Sequence, residues 1–308
     1  MDFWRFRFTF VFAGLIVGKK FALIRRMKLD ELVQRASQTK FWHKKAEVIE
    51  PPVLTDARRF PYGPFQFRTQ VSKNAEYIIR ASSDLRTWTD IGKGLGTGEM
   101  FDFLDSEAFK HSFRFYRVIC QQVSSFNVIG YASVTLPPGF SMIANPFISS
   151  TNRVAEIFQN WPDGTTLNKF DTRFFRLAEN AVKQGVWTNP GEKLEPGEGA
   201  IFFNPTSDYK NISFVGEVNL GHVSMPIPSG FSMRSSLVPQ AGNLEEMGFP
   251  IGEGDVVHLF DRDRQKYVLY PYENGKWISG APIVSFAESF WIAKTEPGTW
   301  SKSLSLSE

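Results

Sequence analysis

Apolar and polar residues alternate along much of the chain from residue 60 onward. Phe65 and Phe67 alternate with Gln66 and Arg68, which is the period of two shown by a β-strand with one buried face. The same pattern recurs in short runs bounded by turn-forming residues, at residues 76–82, 88–91, 101–103 and 113–118. The pattern therefore predicts an all-β fold built from small antiparallel sheets or sandwiches.

The chain beyond residue 131 contains an internal repeat. Residues 133–142 (SVTLPPGFSM) and 224–233 (SMPIPSGFSM) share six identities at an offset of 91. The match resumes at an offset of 90 with paired Gly, Phe-Asp and Trp residues, and it ends at Glu198 and Glu288. Because collinear matches over this distance indicate a duplication, we expect one structural unit to be used twice.

These patterns divide the chain into four segments. Residues 1–59 are a basic leader and linker, 60–131 a first β module, 132–222 the first repeat unit and 223–308 the second. Each repeat unit is predicted to open with two strands around a Pro-x-Gly turn, to continue through a hairpin and to close with an apolar strand. Such units bury their apolar faces best against each other, or each as its own sandwich.

The N-terminal segment has a different pattern, predicted to be a short helical or disordered stretch. Arg5 and Arg7 precede an apolar run of eleven residues. That run is too short to span a bilayer, which takes about 20 residues, and it resembles a secretory signal that lacks a small-residue cleavage site. Residues 1–26 are therefore a candidate export signal, with a peripheral amphipathic membrane segment, a poorly ordered tail and an upstream extension of a chain that starts at Met27 as the alternatives. Residues 28–50 have the apolar spacing of a short amphipathic helix.

Charge and composition narrow the choice of partner. The net charge is +3, but residues 1–60 carry 13 Lys and Arg against 6 Asp and Glu, whereas the remaining residues carry 22 against 26. Nucleic-acid binding needs several basic residues together on a folded surface, so no nucleic acid is expected for the folded part. Membrane contact is considered only for the N-terminal segment. A single Cys, Cys120, and four scattered His argue against a disulfide framework and a zinc cluster, and no cofactor is expected.

Three separated motifs mark the first module. They are a Ser-x-Asp-Leu turn with a Trp-Thr pair in residues 77–89 (YIIRASSDLRTWT), residues 101–105 (FDFLD) and residues 113–118 (FRFYRV). Together they resemble a β module found in many large exported bacterial proteins. The resemblance implies an extracellular or surface context, and it implies no catalytic residue.

Further motifs mark the first repeat unit. It opens with residues 139–146 (GFSMIANP), turns at Phe170-Asp171 and closes with residues 196–202 (PGEGAIF). This set resembles a repeat module common in secreted and surface proteins of environmental bacteria, a family of undefined function. The second unit departs from it, because residues 234–236 (RSS) and 285–287 (SFA) replace motif residues. The resemblance implies an exported β-protein and supplies no active site.

Several polar residues raise the question of enzymatic chemistry. Two segments, Gly139-Phe140-Ser141 and Gly230-Phe231-Ser232, begin like a nucleophile elbow but lack its second Gly, so a turn that opens a strand is the favoured interpretation. Glu198 and Glu288 would have to lie about 5 to 9.5 Å apart to hydrolyse a glycoside, and equivalent positions in separate units favour a structural role. Residues 261–264 (DRDR) lack the Gly and Glu of a calcium loop. No catalytic or metal-binding residue is therefore predicted.

Aromatic residues beside polar turns are the candidate ligand-binding residues, namely Trp187, Trp277, Tyr270 and Tyr272. Flat rings in such positions can stack on the faces of sugars. The alternative interpretation is that Trp residues at equivalent repeat positions lie in the core or cover a sheet edge.

The sequence thus favours a non-enzymatic, extracytoplasmic structural, adhesive or scaffold protein whose partners are other surface proteins or polysaccharide. One alternative is a secreted polysaccharide hydrolase, or its accessory binding part, in which acidic or nucleophilic residues converge in a cleft. Another is an intracellular or virion structural protein, which requires that residues 1–26 are not an export element.

Overall fold

The computed structural model describes residues 49–60 and 63–305, and these fold almost entirely as β-structure. They contain 23 β-strands, one α-helix of four residues and one short 3₁₀ helix. The predicted all-β fold of small antiparallel sheets is therefore confirmed. The predicted export signal and nearly all of the predicted N-terminal helix lie outside the described residues. In the described ranges, no helix has the length and apolarity that crossing a membrane would require.

Seven strands form the first module as two facing sheets. They are β1 (Leu54–Arg59), β2 (Phe65–Gln70), β3 (Glu76–Ser82), β4 (Thr89–Leu95), β5 (Met100–Asp105), β6 (Phe113–Cys120) and β7 (Val123–Ser124). One sheet has the order β1-β2-β5, and the other contains β4, β3 and β6. The core between them includes Phe65, Phe67, Ile79, Tyr116 and Tyr131. Strict alternation thus places every second side chain of β2, including both of its rings, between the two layers.

The motifs of this module contact one another through their side chains. The buried carboxylate of Asp105 accepts hydrogen bonds from Arg114 Nη1 and from the Tyr116 hydroxyl, both at 2.7 Å. Arg117, on the same strand as Tyr116, lies over the Trp88 ring at 4.4 Å. These contacts join the FDFLD, FRFYRV and Trp-Thr motifs, so the motif residues stabilise the module.

The Ser-x-Asp-Leu turn is closed by its own side chains. The Asp84 carboxylate accepts the N–H groups of Arg86 at 2.8 Å and Thr87 at 2.6 Å, and Ser82 Oγ accepts the Leu85 N–H at 2.9 Å. Partial burial favours the neutral acid, but these N–H groups and the Ser82 hydroxyl outweigh it and lower the pKa of Asp84 to about 2. The motif therefore builds a turn.

The two repeat units share one strand order. The first contains β8 (Ile129–Leu136), β9 (Gly139–Ile143), α1 (Val154–Ile157), β10 (Thr166–Asp171), β11 (Arg176–Lys183), β12 (Val186–Trp187), β13 (Ala200–Asn204) and β14 (Lys210–Glu217). The second contains β15 (Gly221–Ile227), β16 (Gly230–Ser235), β17 (Gly242–Asn243), β18 (Val256–Asp261), β19 (Lys266–Glu273), β20 (Lys276–Trp277), β21 (Ile283–Val284), β22 (Ser289–Lys294) and β23 (Gly298–Leu304). The five-stranded sheets run β9-β13-β10-β11-β12 and β16-β22-β18-β19-β20. The predicted internal duplication is therefore confirmed.

The first and last strands of each unit pair as an antiparallel ribbon, β8 with β14 and β15 with β23. β8 also pairs with β6, so one continuous sheet, β14-β8-β6-β3-β4, joins the first module to the first repeat unit. β1 precedes residue 60, and β8 runs through residue 132. The segment boundaries predicted from the sequence stay a prediction.

Candidate functional site

A cleft between the five-stranded sheets of the two repeat units is the candidate site. One face of each sheet covers the core of its own unit, because Leu167 and Phe202 in the first unit and Val257 and Ile292 in the second are fully buried. Side chains alternate between the faces of a strand, so the neighbours of these residues point to the opposite face. Those opposite faces, one from each unit, line the cleft together.

The two units meet through reciprocal backbone contacts. The Ala144 N–H donates to the Ala287 carbonyl oxygen at 2.9 Å, and the Ser235 N–H donates to the Gly197 carbonyl oxygen at 3.0 Å. Ser235 is the repeat equivalent of Ala144, and Ala287 is the equivalent of Gly197. Reciprocal contacts between equivalent residues characterise an isologous, two-fold interface. The duplication therefore gives a single chain the contacts of a symmetric dimer.

The tip of each main hairpin also reaches the opposite unit. Gln265, between β18 and β19, donates from Nε2 to the Phe140 carbonyl oxygen at 2.9 Å and accepts the Phe140 N–H at 2.8 Å. Phe175 is the repeat equivalent of Gln265 and lies at the tip between β10 and β11. Its ring centroid is 6.5 Å from that of Phe231, the equivalent of Phe140. Each tip thus contacts the start of the edge strand of the other unit.

Aromatic rings from both units line the cleft. The Trp291 ring meets Phe170 edge-on at 4.9 Å, and its Nε1 donates to the Tyr267 hydroxyl at 3.2 Å. Tyr267 lies 5.0 Å from Phe260. Two neighbouring cavities that share Tyr267 have volumes of about 610 and 410 Å³. The larger one also contains polar groups, contributed by Thr166, Asn168 and Glu179.

His258 brings a titratable ring to the smaller cavity. Its ring lies 5.7 Å from Phe231 and 6.5 Å from Tyr267. Burial lowers the pKa of His258 below its ordinary value of 6.5, so the imidazole is neutral at pH 7. A neutral imidazole both donates and accepts a hydrogen bond, which suits an uncharged polar ligand.

The aromatic residues predicted from the sequence lie outside this cleft. Trp187 is buried in the core of the first unit, and its Nε1 donates to the Phe158 carbonyl oxygen at 3.0 Å. Tyr270 packs against the core of the second unit. Tyr272 and Trp277 form an edge-on pair at 5.2 Å where β19 meets β20. Burial leaves Trp187 no open face for a sugar, whereas ligand binding by the Tyr272–Trp277 pair stays a prediction.

The repeated carboxylates close turns. Glu198 and Glu288 each accept the backbone N–H of the residue three positions earlier, at 2.9 and 2.8 Å. Asp171 and Asp261 each accept the N–H groups of the residues two and three positions later. The same bonds recur in both units, so each of these carboxylates serves its own turn.

The serines of the two elbow-like motifs and the candidate metal ligands have surroundings that indicate structural roles. Ser141 and Ser232 are buried within β9 and β16, where a nucleophile elbow would instead present its hydroxyl at an exposed turn. Cys120 is buried as well. In the part of the chain that the structure describes, no group of three or more His, Cys, Asp and Glu side chains is placed to hold a metal ion.

The cleft residues were missed in the sequence, although β19 is apolar on both of its faces. Residues 267–270 (YVLY) are four consecutive apolar residues, whereas a strand with one buried face alternates with polar residues. Such a run signals a second contact surface. Packing between the units decides that Tyr267 faces the cleft while Tyr270 faces the core.

Comparisons with known proteins give weak structural similarities. No protein-family model matches it, and no curated protein matches it. One solved structure similar to part of it is a tetra-tandem repeat in the extending region of a large adhesion protein, with 7% identity, a TM-score of 0.22 and coverage of 83% of this chain and 74% of that one. Another is the chicken CNTN1 FN1-FN3 domains, with 12% identity, a TM-score of 0.21 and coverage of 82% and 98%. Similarities at this level carry no argument about function.

Proposed function

We propose that the protein is a non-enzymatic, extracytoplasmic adhesive or scaffold protein that binds a neutral carbohydrate chain in the cleft between its repeat units. One observation carries the proposal: both units contribute partly exposed aromatic rings to a single cleft, namely Phe140, Phe231, Tyr267 and Trp291.

The chemistry of the cleft supports this ligand class. Aromatic rings present flat apolar faces, and the C–H groups of a sugar ring stack on such faces. Hydrogen-bonding groups lie beside the rings, among them the Tyr267 hydroxyl, the Asn168 amide and the neutral His258 imidazole. A ligand site typically combines an apolar lining with a few such polar groups at volumes of about 300 to 1,000 Å³. The adjoining cavities suit several consecutive sugar units.

Two further observations support a binding role without catalysis and an extracytoplasmic location. The repeated acidic residues each hold a turn of their own unit, which favours binding over hydrolysis. The basic and apolar N-terminal segment, together with the resemblance to modules of exported bacterial proteins, favours an extracytoplasmic location.

Pull-down of the full chain on insoluble cellulose and chitin tests the cleft. We expect Tyr267→Ala to weaken binding about tenfold, because a stacking platform contributes on the order of 1.4 kcal/mol. Tyr267→Phe keeps the ring and should retain most of the binding. Trp277→Ala is the matched control, since it removes a half-buried ring outside the cleft.

Each alternative result has a definite meaning. If the unaltered chain binds neither polysaccharide, the carbohydrate part of the proposal is wrong. If Trp277→Ala alone abolishes binding, the site is the Tyr272–Trp277 pair. Release of soluble sugars from either polysaccharide by the purified protein would show an enzyme.

A further inference from the structure

We propose that the open edge of β15 binds an extended segment of a second protein chain, which adds as an antiparallel strand with aromatic side chains at alternate positions. The repeat equivalent of β15 is β8, which has a strand on each side, β14 and β6. Among the described residues, β15 pairs with β23 alone. The second unit therefore lacks a neighbour that the first unit has.

The pairing of β6 with β8 shows what such a neighbour contributes. Phe115 lies opposite Gly130, and a Cβ atom on Gly130 would come within 2.7 Å of the Arg114 carbonyl oxygen and 2.8 Å of the Phe115 ring. The glycine thus permits the close approach of β6 and its aromatic ring. Gly221 is the repeat equivalent of Gly130, has a positive φ of 85°, and a Cβ atom on it would meet no atom within 4 Å. The space that Phe115 fills over Gly130 is therefore empty over Gly221.

The register of β6 on β8 also defines the chemistry of the incoming segment. Phe113 lies opposite Ala132, whose repeat equivalent is Val223. The same register on β15 places one aromatic side chain opposite Gly221 and a second apolar one opposite Val223. The partner is therefore an extended segment with an aromatic-x-aromatic pattern, comparable to Phe113–Phe115 of this chain.

The edge is suited to strand addition. Gly221 and His222 are exposed, and an unpaired edge presents a row of free N–H and C=O groups to another chain. Proline is one device that blocks such edges. β15 contains one, Pro226, but it lies outside the stretch that corresponds to the β6 pairing. Among the described residues, the edge of β15 at residues 221–223 is therefore open to an added strand.

A synthetic peptide with the sequence of residues 112–119 (SFRFYRVI) is the probe, titrated into the full chain by fluorescence anisotropy. It copies the strand that the equivalent edge already holds. We expect saturable binding with one peptide per chain. The same peptide with N-methylated backbone amides is the control, and it should bind at least about tenfold more weakly because it cannot complete the ladder.

Proline variants locate the binding site on the protein. Successive N–H groups of an edge strand point in turn to its neighbour and to the open side. Of His222→Pro and Val223→Pro, one should therefore disturb the ribbon with β23, and the other should keep the thermal stability while weakening peptide binding at least about tenfold. Absence of binding at about 1 mM peptide would overturn the proposal. Binding that survives the stable proline variant would overturn it as well.

Discussion

At the level of single residues, the second repeat unit differs from the first by a buried ion pair between Asp255 and Lys294. Both side chains are almost fully buried, and the Asp255 carboxylate also accepts the Gly252 N–H at 2.7 Å. The equivalent residues of the first unit are Thr165 and Asn204, which are buried and uncharged. The same place in the fold therefore holds a charged residue pair in one unit and a neutral pair in the other. The neutral pair of the first unit can thus be tested in the second.

We expect Asp255→Asn to lower the free energy of unfolding by about 3 kcal/mol, because it leaves the buried ammonium of Lys294 without a counter-charge. The double variant Asp255→Thr/Lys294→Asn installs the neutral pair of the first unit and should cost less than about 1.5 kcal/mol, since replacing a whole buried pair is often close to neutral. Urea denaturation measures both values. A double variant as unstable as the single one would show that the charge itself is not the cause.

At the scale of elements, the hairpin between β10 and β11 has a strained backbone residue with an exposed side chain at its tip. Phe175 at its tip has a φ of 49°, a left-handed backbone conformation that is costly for a bulky residue. Its side chain is nevertheless 66% exposed, as is that of Phe174. Strained residues of this kind concentrate at functional positions. Gln265, the repeat equivalent of Phe175, has a φ of 52°, so the hairpin turn imposes this conformation in both units. We interpret the bulky side chain at this position as kept for its contact with Phe231.

This interpretation predicts that Phe175→Asn raises the free energy of unfolding by about 0.5 to 1 kcal/mol, because Asn tolerates positive φ better than Phe. Thermal or urea denaturation measures the change. Phe174→Ala is the control, because it removes an equally exposed neighbouring ring, which lies beside the guanidinium groups of Arg173 and Arg176. We expect this control to change stability by less than about 0.5 kcal/mol. A loss of stability in Phe175→Asn would show instead that the ring is a structural contact between the units.

Strict alternation and internal repetition in the sequence were sufficient to predict strands, but they did not predict the side-chain contacts between strands and loops. β2 follows from the alternation of Phe65 and Phe67 because only one register buries both rings. Trp187 and Trp277 occupy equivalent positions, yet the Trp187 indole donates to Phe158, while the Trp277 indole N–H has no acceptor among the described residues. Such partners come from loops that differ between the units, and no local pattern records them.

At the scale of the whole described unit, Phe286 joins all three parts. It belongs to the second repeat unit and stacks on Phe113 of the first module, with centroids 4.3 Å apart and planes at 4°. It also lies 6.5 Å from Phe147 of the first repeat unit. The continuous sheet through β6, β8 and β14 crosses the same region. A shared core of this kind couples the stability of the parts.

We therefore expect the described unit to unfold in one cooperative transition, with equal calorimetric and van't Hoff enthalpies. Phe286→Ala should lower the free energy of unfolding by about 2 kcal/mol, because it empties a partly buried site against the core that the three parts share, and the transition should stay single. Ile283→Ala, in β21 three residues before Phe286 and 69% exposed, is the matched control and should shift stability by less than about 0.5 kcal/mol. The contrary outcome is that the unaltered chain unfolds in two separate transitions, of which Phe286→Ala shifts only the one that belongs to the second unit. That result would show that the modules fold independently and that the Phe113–Phe286 stack contributes little to stability.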